Sequence, residues 1–110
     1  MAQLDFIRSA NFDYSMKTGV TFLVDVIIKD ANGVPMNLTG YTLKIYIYNY
    51  LTKIGTINGT VTTPESGSVH FEMGATNTDL MPLGSYLYYM EYSIAGVVTR
   101  ISEGKIEIRD

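Results

Sequence analysis

Strict alternation of apolar and polar side chains is the feature that most constrains how this chain can fold. Residues 41–50 place aliphatic side chains at every second position, with Leu43, Ile45 and Ile47 on one side and Lys44, Tyr46, Tyr48 and Tyr50 on the other. A period of two is the repeat of a β-strand with one buried face, and helical spacing fits it poorly. The charge of Lys44 assigns the tyrosine side to the solvent. The stretch is therefore predicted to be a half-buried strand.

The same alternation recurs along most of the chain. It is present in residues 20–29, 68–73, 86–92 and 97–109, and residues 56–63 form a threonine-rich, more exposed stretch. Turn-forming residues separate these stretches, as in Asn32-Gly33 and in residues 64–67. Short strands with a turn at roughly every tenth residue are typical of a sandwich. We therefore predict an all-β fold, an immunoglobulin-like antiparallel β-sandwich of about seven to eight strands.

Three local features refine this prediction. Gly84-Ser85-Tyr86 stands at the entrance of a late strand, as in the tyrosine corner of such sandwiches, so we assign Tyr86 to a structural corner in which its phenol bonds back to the backbone. Gly104 is expected to sit in a bulge of the last strand. Thr76 is expected to cap a short helical turn that Pro82 prevents from lengthening.

Length and charge restrict the classes of function. The 110 residues suit one domain with one core, and the eight basic and eleven acidic residues form no basic stripe, so direct binding to nucleic acid is not expected. Asp5 and Arg8 interrupt the start where a secretory signal is apolar, and no apolar run approaches the roughly 20 residues that cross a bilayer. The absence of cysteine suits a reducing compartment. We expect a soluble protein without membrane contact.

The sequence offers little for catalysis. It contains one histidine and no cysteine, and His70 falls on the polar side of its strand, where we expect a solvated side chain without an identifiable catalytic partner. Asp30 and Asn32 resemble the start of a calcium loop, but Tyr41 stands where the liganding glutamate belongs, so a turn is the better interpretation. We therefore expect no enzyme activity, no catalytic or metal-binding residues and no cofactor.

The tyrosines are the most informative residues for function. There are nine of them, mostly in residues 41–50 and 86–92. Tyr46, Tyr48 and Tyr50 point outward from one strand, and if the two tyrosine-rich strands are neighbours, Leu87 and Tyr89 extend the same surface, which we call the tyrosine face. An exposed aromatic patch of this kind suggests a protein partner. The alternatives are tyrosines that only stabilise an exposed sheet, and carbohydrate stacking, which the absence of tryptophan makes less favoured.

Five segments together resemble a known family. They are residues 19–22 (GVTF), 30–41 (DANGVPMNLTGY), 67–71 (GSVHF), 80–86 (LMPLGSY) and 103–106 (EGKI). In this order they resemble small bacteriophage virion domains, in particular the immunoglobulin-like N-terminal domain of phage baseplate upper proteins and similar head or tail accessory proteins. The resemblance covers residues 18–109. It implies a sandwich domain over residues 18–110, preceded by an arm or edge strand in residues 1–17 that includes Phe6, Ile7, Phe12 and Tyr14.

The resemblance also implies a function and a location. Baseplate members continue into further domains, whereas this sequence ends soon after its last predicted strand, so we expect first a capsid accessory or head-decoration protein that contacts the major capsid protein. A tail or baseplate structural component is the alternative, and a carbohydrate-binding module for host attachment is a second one. The protein would be made in the host cytoplasm and reside in the virion, on the capsid surface in preference to the tail. The N-terminal arm could pair with a second copy of the chain.

Overall fold

The computed structural model describes residues 13–30 and 32–110. Its seven strands are β1 (Tyr14–Lys17), β2 (Phe22–Ile27), β3 (Thr42–Asn49), β4 (Thr52–Thr63), β5 (Ser68–Met73), β6 (Gly84–Ile94) and β7 (Val97–Arg109). A 3₁₀ turn (Pro64–Ser66) precedes β5, and a four-residue helix, α1 (Ala75–Thr78), precedes β6. Within these residues no helix has the length and apolar character needed to cross a membrane. The predicted all-β class is confirmed.

The strands form one continuous hydrogen-bonded order, β1-β7-β6-β3-β4-β5-β2. β4 has 12 residues, and its first part pairs with β3 whereas its last part pairs with β5, so this strand joins two groups of strands. Neighbours run antiparallel except for β1 and β7, which are parallel. The prediction of a wholly antiparallel arrangement is wrong at this edge, because alternation specifies which side chains are buried and not which strand an edge strand joins.

The sheet folds over a single core. Val69 and Phe71 of β5 belong to the same buried cluster as Leu43 of β3. The ring of Tyr14 in β1 lies edge-on to that of Phe22 in β2, with centroids 6.1 Å apart, so the two ends of the strand order meet. The inward side chains of β3 and β5 therefore face one shared core.

Gly59 lies where β4 passes from one group of strands to the other. A Cβ atom at this position would stand 2.7 Å from Cε1 of Phe71 and 3.1 Å from the carbonyl oxygen of Leu43. Contacts that short require a neighbour to move, and one of these neighbours is backbone. The missing side chain thus allows β3 and β5 to pack closely against β4 at this crossing.

The first strand belongs to the sheet of its own chain. Tyr14–Lys17 pair with residues 106–109 of β7, and Met16 is 1% exposed. These residues come from the segment predicted to be an arm or an edge strand, and they form an edge strand. The predicted apolar residues Phe6, Ile7 and Phe12 lie outside the described residues.

Two local predictions are wrong. The register of β6 and β7 shifts between Met90 and Glu91, opposite Ile101, and the pairing of Gly104 with Tyr88 is regular. Ile101 and Ser102 are both buried, so consecutive residues point inward as in a bulge. Helix α1 has no side-chain cap, because its N-cap position is Gly74 and Thr76 lies within the helix.

Candidate partner-binding face

Alternation along β3 and β6 positions the tyrosine face. Ile45 and Ile47 are buried beneath it, while Tyr46 and Tyr48 are half-buried on the outer side. The register places Tyr46 directly opposite Tyr89 of β6 and Tyr48 opposite Leu87. The structure therefore brings four of the five predicted side chains together on one outer surface, as expected if the two strands are neighbours.

The outer tyrosines contact each other across the strands. The rings of Tyr48 and Tyr89 lie 5.4 Å apart with an interplanar angle of 65°. Edge-to-face geometry of this kind is favourable beyond the area it buries. The contact restricts the rotamers of both rings before any partner arrives.

Two cations lie over the rings. Nζ of Lys53 in β4 stands 4.2 Å from the centroid of Tyr46, and Cζ of Arg100 in β7 stands 3.7 Å from that of Tyr89. The Arg100 guanidinium also donates to the Glu91 carboxylate at 3.4 Å. Cation–π contacts are modest at exposed sites. Their effect here is to place one lysine and one arginine against the outer tyrosine rings.

Sequence reasoning missed these cations. Lys53 follows the turn after β3, and Arg100 lies nine residues after Glu91 on the next strand, so each meets its ring only through strand pairing. The sequence does contain one signal for them. On a strand next to each of the two strands that carry the outer tyrosines, a basic residue occupies a position that alternates to the outer side. Recognising it requires the register, which alternation alone does not supply.

Tyr50 departs from the predicted alternation. β3 ends at Asn49, and Tyr50 lies in the turn to β4 with φ = 56°. Its side chain is 89% exposed, and the next residue, Leu51, is 96% exposed. A left-handed conformation is uncommon for a bulky residue and is often found at functional turns. The turn displays two large side chains beyond the end of the sheet.

A shallow groove connects this turn with the tyrosine face. It has a volume of about 280 Å³ and is lined by Tyr48, Asn49, Tyr50, Ser85, Tyr86, Leu87 and Lys105. Tyr46 and Tyr89 lie outside it. Tyr48, Tyr50 and Leu87 thus line the groove, whereas Tyr46 and Tyr89 lie beneath the two cations. The contact between the rings of Tyr48 and Tyr89 joins the two groups.

Tyr86 is positioned by the backbone before β6. Its hydroxyl donates to the carbonyl oxygen of Leu83, three residues upstream, at 3.0 Å. Gly84 has φ = 144°, and a Cβ atom there would stand 3.1 Å from the Tyr86 hydroxyl oxygen. The glycine therefore leaves room for the phenol to turn back across the corner.

The buried tyrosines lie on the inner side of the sheet. Tyr88 is 0% exposed, and its hydroxyl lies 3.4 Å from Oγ of Ser102. Burial, together with the neighbouring Tyr88, raises the pKa of Tyr14 to about 12. Burial also raises the pKa of Tyr88. These phenols remain neutral at ordinary pH and belong to the core.

His70 has two partners that its sequence position did not reveal. Nδ1 lies 2.7 Å from Oδ1 of Asp25 on β2, and Nε2 lies 3.0 Å from Oε1 of Glu72. Hydrogen bonds to Glu72 and then to Asp25 raise the pKa of His70 above 6.5. The expectation of a histidine without an identifiable partner is wrong, because Asp25 is 45 residues away along the chain.

The remaining polar motif is a turn. Oδ1 of Asp30 accepts hydrogen bonds from the backbone N–H groups of Asn32 and Val34 at 2.9 and 3.0 Å. Gly33 adopts φ = 78°, as the Asn-Gly pair predicts for a tight reversal. Within residues 13–30 and 32–110, no group of His, Asp and Glu side chains is arranged to hold a metal ion.

Comparisons with known proteins identify the kind of fold. No protein-family model matches the sequence, and no curated protein matches it. Among solved structures, the chain is similar to the N-terminal domain of phage TP901-1 ORF48, with 10% identity over 90% of this chain and 86% of that chain and a TM-score of 0.57. It is also similar to the Lin-41 filamin domain, with 19% identity over 86% and 82% of the two chains and a TM-score of 0.50. These likenesses support the immunoglobulin-like β fold expected from the sequence.

Proposed function

We propose that the chain is a structural protein of a bacteriophage particle and binds a neighbouring virion protein through the tyrosine face. The observation that carries this proposal is the fold shared with a phage domain over 90% of the chain. The resemblance of residues 18–109 to phage virion domains supports the same assignment. The proposal includes no catalytic role, no cofactor, and no direct contact with nucleic acid or membrane.

The proposed mechanism is surface complementarity with aromatic anchors. Tyrosines supply large contact areas and have few rotatable bonds, so little entropy is lost when a partner orders them. Here the rings of Tyr48 and Tyr89 are already in contact, and Arg100 and Lys53 cover Tyr89 and Tyr46. Tyr50, at the hairpin turn, would be the anchor that enters the partner surface.

The architecture proposed for this role is an immunoglobulin-like sandwich. One layer would contain β1, β7, β6, β3 and the first part of β4, and the other the rest of β4 with β5 and β2. The single core between the two groups and the close crossing at Gly59 support it. An experimental structure with the two layers stacked about 10 Å apart is the expected result.

The proposed location is the capsid surface, where the chain would act as an accessory or decoration protein on the major capsid protein. A tail or baseplate location is the second candidate, and it is kept because the sequence resembles baseplate upper proteins as well as head accessory proteins. Gold labelling of intact particles distinguishes the two, because label is expected across the shell in the first case and at one pole in the second. Absence of label from purified particles would overturn both.

Replacement of two anchors tests the binding face. We expect Tyr48→Ala with Tyr50→Ala to leave the domain folded, since neither side chain belongs to the core, and to abolish incorporation into particles. Val34→Ala, at an exposed turn residue away from the face, is the matched control and should be incorporated normally. Normal occupancy of the double variant would refute the assignment of the face. If the wild-type chain binds a glycan array and the double variant does not, the result would instead favour the carbohydrate alternative.

A further inference from the structure

Strand β2 has one edge that no other strand covers. In the part of the chain that the structure describes, it stands at the end of the strand order and pairs only with β5. The backbone N–H of Ile28 donates to the carbonyl oxygen of Gly67, on the β5 side, at 2.8 Å. Because consecutive residues of a strand direct their N–H groups to opposite edges, those of Leu23, Asp25 and Ile27 point to the uncovered edge. This edge, which we call the β2 edge, therefore offers three donors and their carbonyl oxygens to a further strand.

The core is incompletely covered along the β2 edge. Val24 and Val26 pack against the core but are only half-buried, whereas their register partners on β5, Phe71 and Val69, are 0% and 1% exposed. The difference lies in position, because β5 has a neighbouring strand on both sides and β2 has one on a single side. An additional strand at the β2 edge would bury the exposed parts of both valines.

The position of β1 indicates which part of the chain lies nearest to the β2 edge. The ring of Tyr14 is in edge contact with that of Phe22, the first residue of β2. A turn joins β1 to β2, and in it the N–H of Val20 donates to the carbonyl oxygen of Lys17, so the two strands run in opposite directions. Since Tyr14 is level with Phe22, a continuation of β1 beyond its start would run along β2 towards Ile27, antiparallel to it.

We propose that residues 4–10 of the same chain, which we call the N-terminal segment, bind the β2 edge as an additional antiparallel strand. The side chain of Asp13 accepts a hydrogen bond from the backbone N–H of Lys105 in β7 at 3.1 Å, so the chain would leave β7 just before this residue. The residues between the segment and Asp13 would then span the distance from β7 to β2.

The N-terminal segment has the composition and the length for this edge. It is one residue longer than the six residues of β2. Leu4 and Phe6 stand at even positions and Ile7 at an odd one, so an apolar side chain can cover the two valines in either register. A covered edge cannot pair with the sheet of another molecule, so the segment would also prevent edge-to-edge association. This inference goes beyond the proposed function, because it concerns an edge that does not carry the tyrosine face.

Hydrogen exchange of the full chain, followed residue by residue by NMR, tests the pairing. In the wild type, we expect the N–H groups of Leu23, Asp25 and Ile27 to exchange about tenfold or more slowly than unpaired amides. Those of Val24 and Val26 point to β5 and should be slow in either case. NOEs between the α-protons of these two valines and those of the N-terminal segment are also expected, because such pairs are closely spaced in an antiparallel ladder. Fast exchange of the three outer N–H groups in the wild type would overturn the proposal.

Ile7→Pro with Arg8→Pro should detach the segment from the edge. Because consecutive N–H groups point to opposite edges, one of the two prolines must remove a donor to β2 in either register. The three outer N–H groups of β2 should then exchange about tenfold or more faster, while those of Val24 and Val26 keep their protection. Ala2→Pro, outside the segment, is the matched control and should leave exchange unchanged. Full protection of the outer N–H groups in the double variant would contradict pairing by this segment.

A dilution series distinguishes the same chain from a second copy as the source of the added strand. We expect protection of the outer N–H groups to be independent of protein concentration, because the segment and the edge belong to one molecule. Protection that appears only as sedimentation velocity shows a dimer forming would overturn the assignment to the same chain. None of these measurements involves the tyrosine face, so their outcome is independent of the proposed function.

Discussion

At the scale of single residues, side-chain partners decide what each polar group does. His70 illustrates this, because a solvent-facing strand position gains two carboxylate partners, one of them from a distant strand. The outward direction of His70 could be predicted from alternation, as could that of Tyr46 and Tyr48. The partners could not, since Asp25 and Lys53 reach them only through strand pairing.

The stability contribution of His70 is expected to depend on pH. Its pKa in the folded protein is raised above the ordinary 6.5 by Glu72 and Asp25, so folding favours the protonated form. The contribution is complete below pH 6.5 and is lost as the pH rises through the higher folded pKa. Urea unfolding of the wild type and of His70→Gln should therefore show a stability difference that shrinks with rising pH. An NMR titration giving a pKa at or below 6.5 would contradict it.

The hydroxyl of Tyr86 is expected to stabilise the corner before β6. Tyr86→Phe removes its hydrogen bond to the Leu83 carbonyl oxygen and should lower the free energy of unfolding by about 1 kcal/mol. Tyr46→Phe removes a hydroxyl from the outer face and serves as the matched control, with a smaller expected change. Equal changes in the two variants, measured by urea denaturation, would argue against a role for the corner bond.

At the scale of elements, β4 is the strand that most determines the architecture. It pairs with β3 and then with β5, so it carries the chain from one group of strands to the other. The sequence predicted a strand at residues 56–63 but not its full extent from Thr52 to Thr63. The dual pairing was not predictable, because a threonine-rich stretch fits an exposed edge as well as a crossing strand.

Gly59 is expected to be intolerant of a side chain. Gly59→Ala places a methyl group 2.7 Å from the Phe71 ring and should lower the free energy of unfolding by about 1–3 kcal/mol, since backbone at Leu43 must also yield. Gly74→Ala is the control, because a Cβ atom there has no neighbour within 4 Å among the described residues. Equal melting temperatures for the two variants would contradict the close crossing.

The edges of the sheet show the limit of pattern analysis. Alternation over residues 86–92 assigns Leu87 and Tyr89 to the outer side, and the residues of opposite parity, Tyr88, Met90 and Tyr92, are buried. It did not predict that β1 pairs in parallel with β7, or that the bulge of β7 lies at Ile101 and not at Gly104. Both depend on which strands pair and in which register, and a period of two specifies neither of these.

At the scale of the whole molecule, one core supports outer surfaces that carry different side chains. The tyrosine face combines half-buried rings with Lys53 and Arg100, whereas the outer side of β2 and β5 displays Leu23 and Ile27 beside His70 and its two carboxylate partners. Surfaces that differ in this way suit a subunit that has different neighbours around it.

In the proposed role, the tyrosine face is buried against another protein of a phage particle. Cryo-electron microscopy of purified particles that contain this chain tests it most directly. We predict that the domain occupies a regular position with Tyr48 and Tyr50 in contact with a neighbouring virion protein. A reconstruction in which that face points into solvent, or in which the domain is absent from the particle, would contradict the account.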